Sequence, residues 1–368
     1  MEGSDSNYND QQNIETRPCQ NCGGSLQFDI GQQRLACPSC GHAQDIVHAP
    51  DAEVREQSYA ALGQRSVQGV MSSIEGEKEI ICQNCGGHTT FIGTMTATVC
   101  PYCATPIQRT DIHQAPERLA VDGVLPFTVT DAQAEKLLRD WVDKRWFAPS
   151  EFKKYSNAGS FESIYAAYFT YDAQATTGYR GERGEHRTRT VGSGENQRTE
   201  TYTEWYSVSG QVHNAFDDVT ILGNTGFDAK YVDKLEPWPT QQVQPFHRDY
   251  LAGHLCRTYD RDVEDCFSDA RSYMDGVIDQ TIRRDIGGNE QRIRSKNSQW
   301  SGLTYKHVLL PIWLLTVIYQ GQPLQVFMNG TTGEIHGQRP WSTPKIIATV
   351  LAVVVLIVAL FVLRAVLT

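Results

Sequence analysis

No Gly-Lys-Ser or Gly-Lys-Thr occurs anywhere in the 368 residues. The chain therefore has no P-loop to cradle a nucleotide phosphate. His247-Arg-Asp resembles a fragment of a kinase catalytic loop. However, the position five residues after the Asp is His254 instead of Asn, and there is no Asp-Phe-Gly. No Ser-His-Asp or Cys-His arrangement can be defended, and together these gaps argue against an enzyme. Basic residues are also in the minority: 33 Lys and Arg face 43 Asp and Glu, a net charge of −10. The first 16 residues hold Glu2, Asp5, Asp10 and Glu15 with no base and few apolar groups. Such a segment cannot bury enough surface to fold, so 1–16 reads as a disordered acidic lead-in. It also lacks the basic and apolar regions of a signal peptide.

Cysteine, by contrast, is abundant and ordered. Eight of the ten cysteines fall into two copies of C-x2-C-x14-C-x2-C. Cys19, Cys22, Cys37 and Cys40 form the first; Cys82, Cys85, Cys100 and Cys103 form the second, each 63 residues after its counterpart. The first knuckle recurs residue for residue, as Cys19-Gln-Asn-Cys-Gly-Gly and Cys82-Gln-Asn-Cys-Gly-Gly. Zinc takes four soft ligands at tetrahedral corners, and a C-x2-C pair sets two thiolates on one tight turn. A small residue follows each pair (Gly23, Gly41, Gly86 and Ala104), which suits the positive φ such turns favour. Between the pairs there is room for a hairpin, Ser25 to Ile30, a turn at Gly31, then Gln33 to Ala36. The reading is two zinc ribbons, 17–48 and 80–110, each holding one structural zinc ion that supplies much of the folding energy. The competing reading, two disulfides per module, needs an oxidising compartment. His42 and His88 follow the knuckles and could replace a thiolate, but four cysteines already complete each shell, so both read as solvent-facing turn residues.

The other end is apolar. Ile346 to Leu363 is 18 residues without a charge or a proline. As a helix it would span about 27 Å, close to the hydrocarbon thickness of a bilayer. A run apolar on every face reads as a transmembrane tail anchor at 346–363. Arg339, Lys345 and Arg364 flank it. The reduced cysteines place the N-terminal domains in the cytoplasm, giving a single-pass cell-membrane protein.

Between the ends lie a linker, 49–79, and a β-rich α+β domain, 119–340. Glu53 to Gln68 reads as a short helix weakened by glycine. The larger domain opens with a strand-like Gly123-Val-Leu-Pro-Phe. Thr130 or Asp131 caps a helix from Ala132 to Phe147. Ser163 to Thr176 is β-rich, and Arg180 to Thr203 reads as a long polar hairpin projecting into water. Asp260 to Ile286 reads as a helix with Val263, Phe267, Ala270, Met274 and Val277 on its apolar side. Leu303 to Phe327 reads as a strand pair turning at Gln320-Gly-Gln-Pro, ahead of a turn cluster at Asn329-Gly-Thr-Thr-Gly. His247, His254, Cys256 and Cys266 match no common metal frame, so both cysteines read as small buried side chains.

Ribbons often bind nucleic acid, but nonspecific binding needs clustered Lys and Arg. The first ribbon sets Arg17 and Arg34 against Asp29 and Asp45, and the stretch 179–204 sets five arginines against five glutamates. A nucleic-acid partner is therefore not favoured over a protein partner.

The Cys-Gln-Asn-Cys-Gly-Gly knuckles, Leu309-Leu-Pro-Ile-Trp, Asn329-Gly-Thr-Thr-Gly-Glu and Lys345 before the apolar span together touch most of the chain. In these features the sequence resembles a family of bacterial TFIIB-type zinc-ribbon membrane proteins. Members often carry the label primosomal protein N′ (replication factor Y) or helicase-like, an activity that needs the P-loop missing here. The resemblance implies N-terminal ribbons, a β-rich domain and a membrane helix. It further implies protein partners of the SPFH or phage-shock-protein-A type. The expectation is a tail-anchored cytoplasmic adaptor, or scaffold, with zinc held by the eight cysteines. The alternative is a membrane-tethered nucleic-acid-binding protein linked to replication or transcription.

Overall fold

The structure, a computed structural model, describes residues 18–62, 71–72, 77–82, 88–92, 112–114, 118–145, 148–149, 161–194, 197–319 and 322–367. The chain begins with a small sheet of β1 (Gln27–Asp29), β2 (Arg34–Ala36) and β3 (Ala43–Gln44). Short strands follow: β4 (Gln57–Ser58), β5 (Met71–Ser72), β6 (Glu77–Ile81), β7 (His88–Ile92), β8 (Ile112–Gln114), β9 (Arg118–Leu119) and β10 (Gly123–Val124). Then come helix α1 (Asp131–Asp143) and two very long strands, β11 (Phe161–Val191) and β12 (Arg198–Leu222). A single helical turn α2 (Ala229–Val232), β13 (Gln244–Pro245) and β14 (Leu255–Arg257) lead to helix α3 (Val263–Ile286). The chain continues with β15 (Glu290–Tyr319), β16 (Gln322–Asn329), β17 (Ile335–Gly337) and the C-terminal helix α4 (Thr343–Leu367).

One large curled sheet organises the molecule. β11 pairs antiparallel with β12 on one side and β15 on the other, from Tyr168↔Leu222 out to Val191↔Arg198. At about 3.3 Å per residue the 31 residues of β11 trace roughly 100 Å of chain. Burial along it changes in three stages. Near its start both faces are covered. Tyr165 and Ala167 join one apolar cluster with Phe127, Leu138 and Trp313, while Ile164, Ala166 and Tyr168 join another with Leu310 and Leu314. Further on only one face is covered: Phe169, Tyr171, Ala173, Ala175 and Tyr179 alternate at period two against α3. Beyond Glu185 none of the strand's side chains is buried. There the expected polar hairpin runs into water, laced by exposed ion pairs such as Arg187–Glu204 at 3.3 Å and Arg189–Glu200 at 3.4 Å. Pairs this open to solvent contribute little stability.

α3 exists because its stripe is deep. Val263, Cys266, Ala270, Met274, Ile278, Ile282 and Ile286 are all buried. A fully buried large aliphatic contributes roughly 1.5–3 kcal/mol, so this stripe holds the arm's middle third. Asp262 caps the helix by accepting from the Asp265 N–H at 2.8 Å. Gly287 ends it at φ 66°, a backbone setting open to glycine. Cys266 is a small buried packer, as expected, with its thiol toward the Leu222 carbonyl. α1 begins at Thr130 with a capping box to Gln133. It stops at Asp143, short of the expected Phe147.

The helix expected over Glu53–Gln68 is not what the described part of that segment forms. Residues 57–58 make β4 against Thr304 and Tyr305 of β15, and a 3-10 turn follows at Tyr59–Ala61. Packing decides this: Tyr59 lies 4.6 Å from the Phe267 ring and 6.4 Å from Tyr305, contacts that a continuing helix would not reach. Residues 63–70 lie outside the described residues.

Candidate metal centre

Two turns bring the first four cysteines together. The first is closed by Gly23 N–H to the Cys19 carbonyl at 2.8 Å, the second by Gly41 N–H to the Cys37 carbonyl at 2.9 Å. Gly23 and Gly41 take φ of 75° and 73°, as such turns require. A side chain at Gly24 would lie 3.4 Å from the sulfurs of both Cys22 and Cys37, so the turn approaches the site closely. β1 and β2 join the turns in the register Phe28↔Leu35.

The four sulfurs lie within 4.8 Å of one another. Cys19 Sγ is 3.5 Å from Cys40 Sγ, and Cys22 Sγ is 3.5 Å from Cys37 Sγ. These spacings are too long for disulfides, whose sulfurs lie about 2 Å apart. They suit a tetrahedron of thiolates about one ion, for which a metal–sulfur bond of about 2.3 Å gives edges near 3.8 Å. Cys19 and Cys37 are buried, and Cys22 and Cys40 face solvent. The protonation pattern points the same way. The backbone N–H of His42 leads the groups that draw the Cys40 thiol down to about 6, followed by the Asn21 side chain. At Cys22 the Gly24 N–H favours the thiolate, but Cys40 and Cys37 together push the thiol up to about 12. Crowded sulfurs cannot all carry charge unless a cation sits among them. The cluster can bind a metal ion, and four ligands close its shell.

Of the second set, Cys82 directly follows β6 and is buried in the cluster around Leu310; Cys85, Cys100 and Cys103 lie outside the described residues. The flanking backbone nevertheless repeats. Pro18 bridges Ser25 across the first knuckle, and Ile81 pairs His88 across the second, each residue 63 positions from its counterpart. Among the described residues, no second such group appears. His254 and Cys256 are not brought together with His247 and Cys266 as ligands.

Both cysteine modules seat on the same short stretch of the large domain. The Phe28 N–H donates to the Ala252 carbonyl at 2.9 Å, and Thr90 of β7 pairs Cys256 of β14. Phe28 packs edge-on to Tyr250 at 5.3 Å. The hairpin between β1 and β2 turns over residues 30–33, including Gly31 as expected, but the left-handed residue is Gln33, at φ 55°. This left-handed setting is uncommon outside glycine. It is held because Gln33 Nε2 donates to the carbonyls of Ile30 at 2.6 Å and of Phe127 at 2.7 Å. Nothing in the sequence marks Gln33. Phe28 did carry a signal, since the 63-residue repeat extends to Phe91.

His254 sits behind this seat. Its ring stacks on Phe127 at 4.9 Å, meets Tyr165 edge-on, and places Nδ1 2.7 Å from Ser163 Oγ. Burial lowers its pKa to about 4. The folded protein therefore holds a neutral ring, while the unfolded chain takes up a proton as pH falls through about 6.5. This stabilisation is complete above about 6.5 and disappears as pH falls toward 4. Between pH 7 and 5 the wild type should lose about 2 kcal/mol more than His254→Phe. Urea unfolding at both pH values checks this. Equal losses in the two proteins would remove His254 as the cause.

Near the C-terminus, Trp141 Nε1 donates to the Ile335 carbonyl at 3.1 Å and Lys345 Nζ to the Ala148 carbonyl at 2.7 Å. The first bond ties α1 to β17, and the second ties the root of α4 to the segment after α1. From Thr343 to Arg364, α4 is long and apolar enough to cross a bilayer, and its apolar window is not buried among the described residues.

No protein-family model matches the chain, and no solved structure matches it. It is similar to the uncharacterized protein YdjG of Bacillus subtilis (strain 168), 26% identical over 333 residues, which cover 90% of this chain and 91% of that protein. The likeness runs nearly end to end and assigns no activity.

Proposed function

We propose that the chain is a membrane-anchored adaptor whose cysteine modules hold structural zinc and whose large domain displays protein-binding surface at the membrane. The observation that carries this reading is α4: a helix whose apolar window is not buried among the described residues, rooted on a folded domain by the Lys345–Ala148 hydrogen bond. A surface of that kind is stable in lipid and costly in water. Zinc follows from the ligand set. Four thiolates in a closed shell are the pattern of a structural site, with no open position for substrate. The repeated pairing around Cys82 supports a second ion, held by Cys82, Cys85, Cys100 and Cys103. Partners of the SPFH or phage-shock type come from the family resemblance. A nucleic-acid role draws less support, because Arg183, Arg187, Arg189 and Arg198 of the arm each pair with a glutamate.

The test is to purify the full-length protein from gently solubilised membranes, with and without nuclease, and to identify what accompanies it. Adaptor function predicts membrane recovery that is lost when the chain is stopped before Thr343. It also predicts SPFH or phage-shock-type partners that survive nuclease. Recovery of replication or transcription proteins that vanish with nuclease would overturn it.

A further inference from the structure

A cleft of about 660 Å³ opens between the end of β12, the turns around α2 and the first half of α3. That volume lies within the usual range for ligand pockets. Its wall is acidic. Asp218 is taken by Lys306 at 2.6 Å, and Asp269 by Arg261 at 2.5 Å. Asp217, Asp233 and Glu236 have no ion-pair partner among the described residues; Glu236 accepts only the Thr220 hydroxyl. The carboxyls of Asp233 and Glu236 remain open to the cleft, yet the surrounding protein withholds enough water to raise both above the ordinary carboxylate range.

A second observation is independent of the charge. Trp238 and Asn224 both line the cleft, and both are more than nine-tenths buried. The indole Nε1 of Trp238 and the side-chain Oδ1 of Asn224 have no hydrogen-bond partner among the described residues. Buried polar atoms are seldom left so. One donor and one acceptor, set among uncompensated carboxylates, complement a group carrying both an amide and a positive charge.

We propose that this cleft receives a basic peptide segment of a protein partner, with an arginine or lysine side chain at Asp233 and Glu236. A divalent metal fits less well. Among the described residues, only the four cysteines bring three or more metal-binding atoms within 4.8 Å, so these carboxylates have no third ligand gathered beside them. Tyr273, 57% exposed at the rim, offers an aromatic face to the same cation. The proposal names the partner chemistry of the adaptor and rests on that reading for its biological sense. Its test is made in vitro, so it can fail while the adaptor reading stands.

The probe is a fluorescein-labelled nonapeptide of alternating glycine and arginine, titrated by anisotropy against full-length protein in a neutral detergent. Saturable binding is expected, with the citrulline counterpart at least about tenfold weaker, since a charged hydrogen bond is worth about 1.5–3 kcal/mol. Asp233→Asn with Glu236→Gln should weaken binding by a similar factor while melting no lower than wild type. Glu53→Gln, an exposed carboxylate paired with Arg55 elsewhere, should bind as wild type. Absence of saturable binding, equal binding of the citrulline peptide, or an unchanged affinity in the double variant would overturn the proposal. So would displacement of the peptide by calcium or spermine at concentrations near the peptide's own Kd.

Discussion

Cys19→Ser should remove one zinc ion per chain and unfold the N-terminal module while leaving membrane attachment intact. Structural zinc in small modules contributes apparent binding energies of about 10–16 kcal/mol near neutral pH. Against that figure, the module's own apolar cluster is small: Leu26, Leu35, Cys19 and Cys37, with Ile46 and Ala252 against it. Without the ion, little keeps the two turns in place. The damage should not stop at the module. Phe28 and Ile30 belong to the same cluster as Phe127 and Trp313 in the large domain. Withdrawing a phenylalanine from such a core typically costs about 3–5 kcal/mol. The large domain should therefore melt earlier in Cys19→Ser than in wild type. Zinc content by atomic emission and a thermal melt followed by tryptophan fluorescence measure both effects. Cys82→Ser should likewise lose one ion. If both variants keep full zinc content, the metal assignment is wrong.

The second large effect is expected at Gly226. A Cβ there would lie 2.4 Å from both Nη atoms of Arg257 and 2.8 Å from its Cζ. Such a clash is relieved when the side chain can swing away. Arg257 cannot swing freely: it is fully buried, its guanidinium lies over the Phe227 ring at 4.8 Å, and Nη2 donates to Asp260 at 2.9 Å. Making room for the methyl separates the buried pair, which typically costs about 3–5 kcal/mol. Gly226→Ala should lose that much in urea unfolding. Arg257→Met should be destabilised by a similar amount, because it leaves Asp260 without its partner. The two changes should be far from additive, since the clash vanishes once the guanidinium is gone. Additive losses would show that Gly226 matters for another reason.

Local signals carried much of this architecture. The Thr130 cap, the helix over 263–286, the polar hairpin and the antiparallel pairing of β15 with β16 follow from residues near one another in sequence. So did the grouping of the first four cysteines, because two C-x2-C turns need only one hairpin to meet. The mixed α+β character was also legible. What escaped depends on distant contacts. The pairing of β10 with β15 is parallel, and β14 lies between β11 and β7. Neither is written in any nearby residue. The buried face of α3 shows the limit well. Steps of four and three placed Val277 on the apolar side, but the observed stripe moves to Ile278, Ile282 and Ile286 while Phe267 and Val277 flank it. A twisted sheet lies beneath the helix, so its line of contact winds round the helix surface. The His254 nest, the Gln33 turn and the acidic cleft are likewise assembled from segments far apart in the chain.

β11 passes within a single strand from burial on both faces to none. Its backbone pairing is continuous, but the free energy holding it is not. Local opening at the distal end gives up only solvent-exposed hydrogen bonds and weak ion pairs, whereas opening at the base requires the whole domain to come apart. The arm is therefore several cooperative units threaded on one strand. Its far end can fray, or exchange its pairing for another chain, without lowering the stability of the part that carries the cysteine modules and the root of α4.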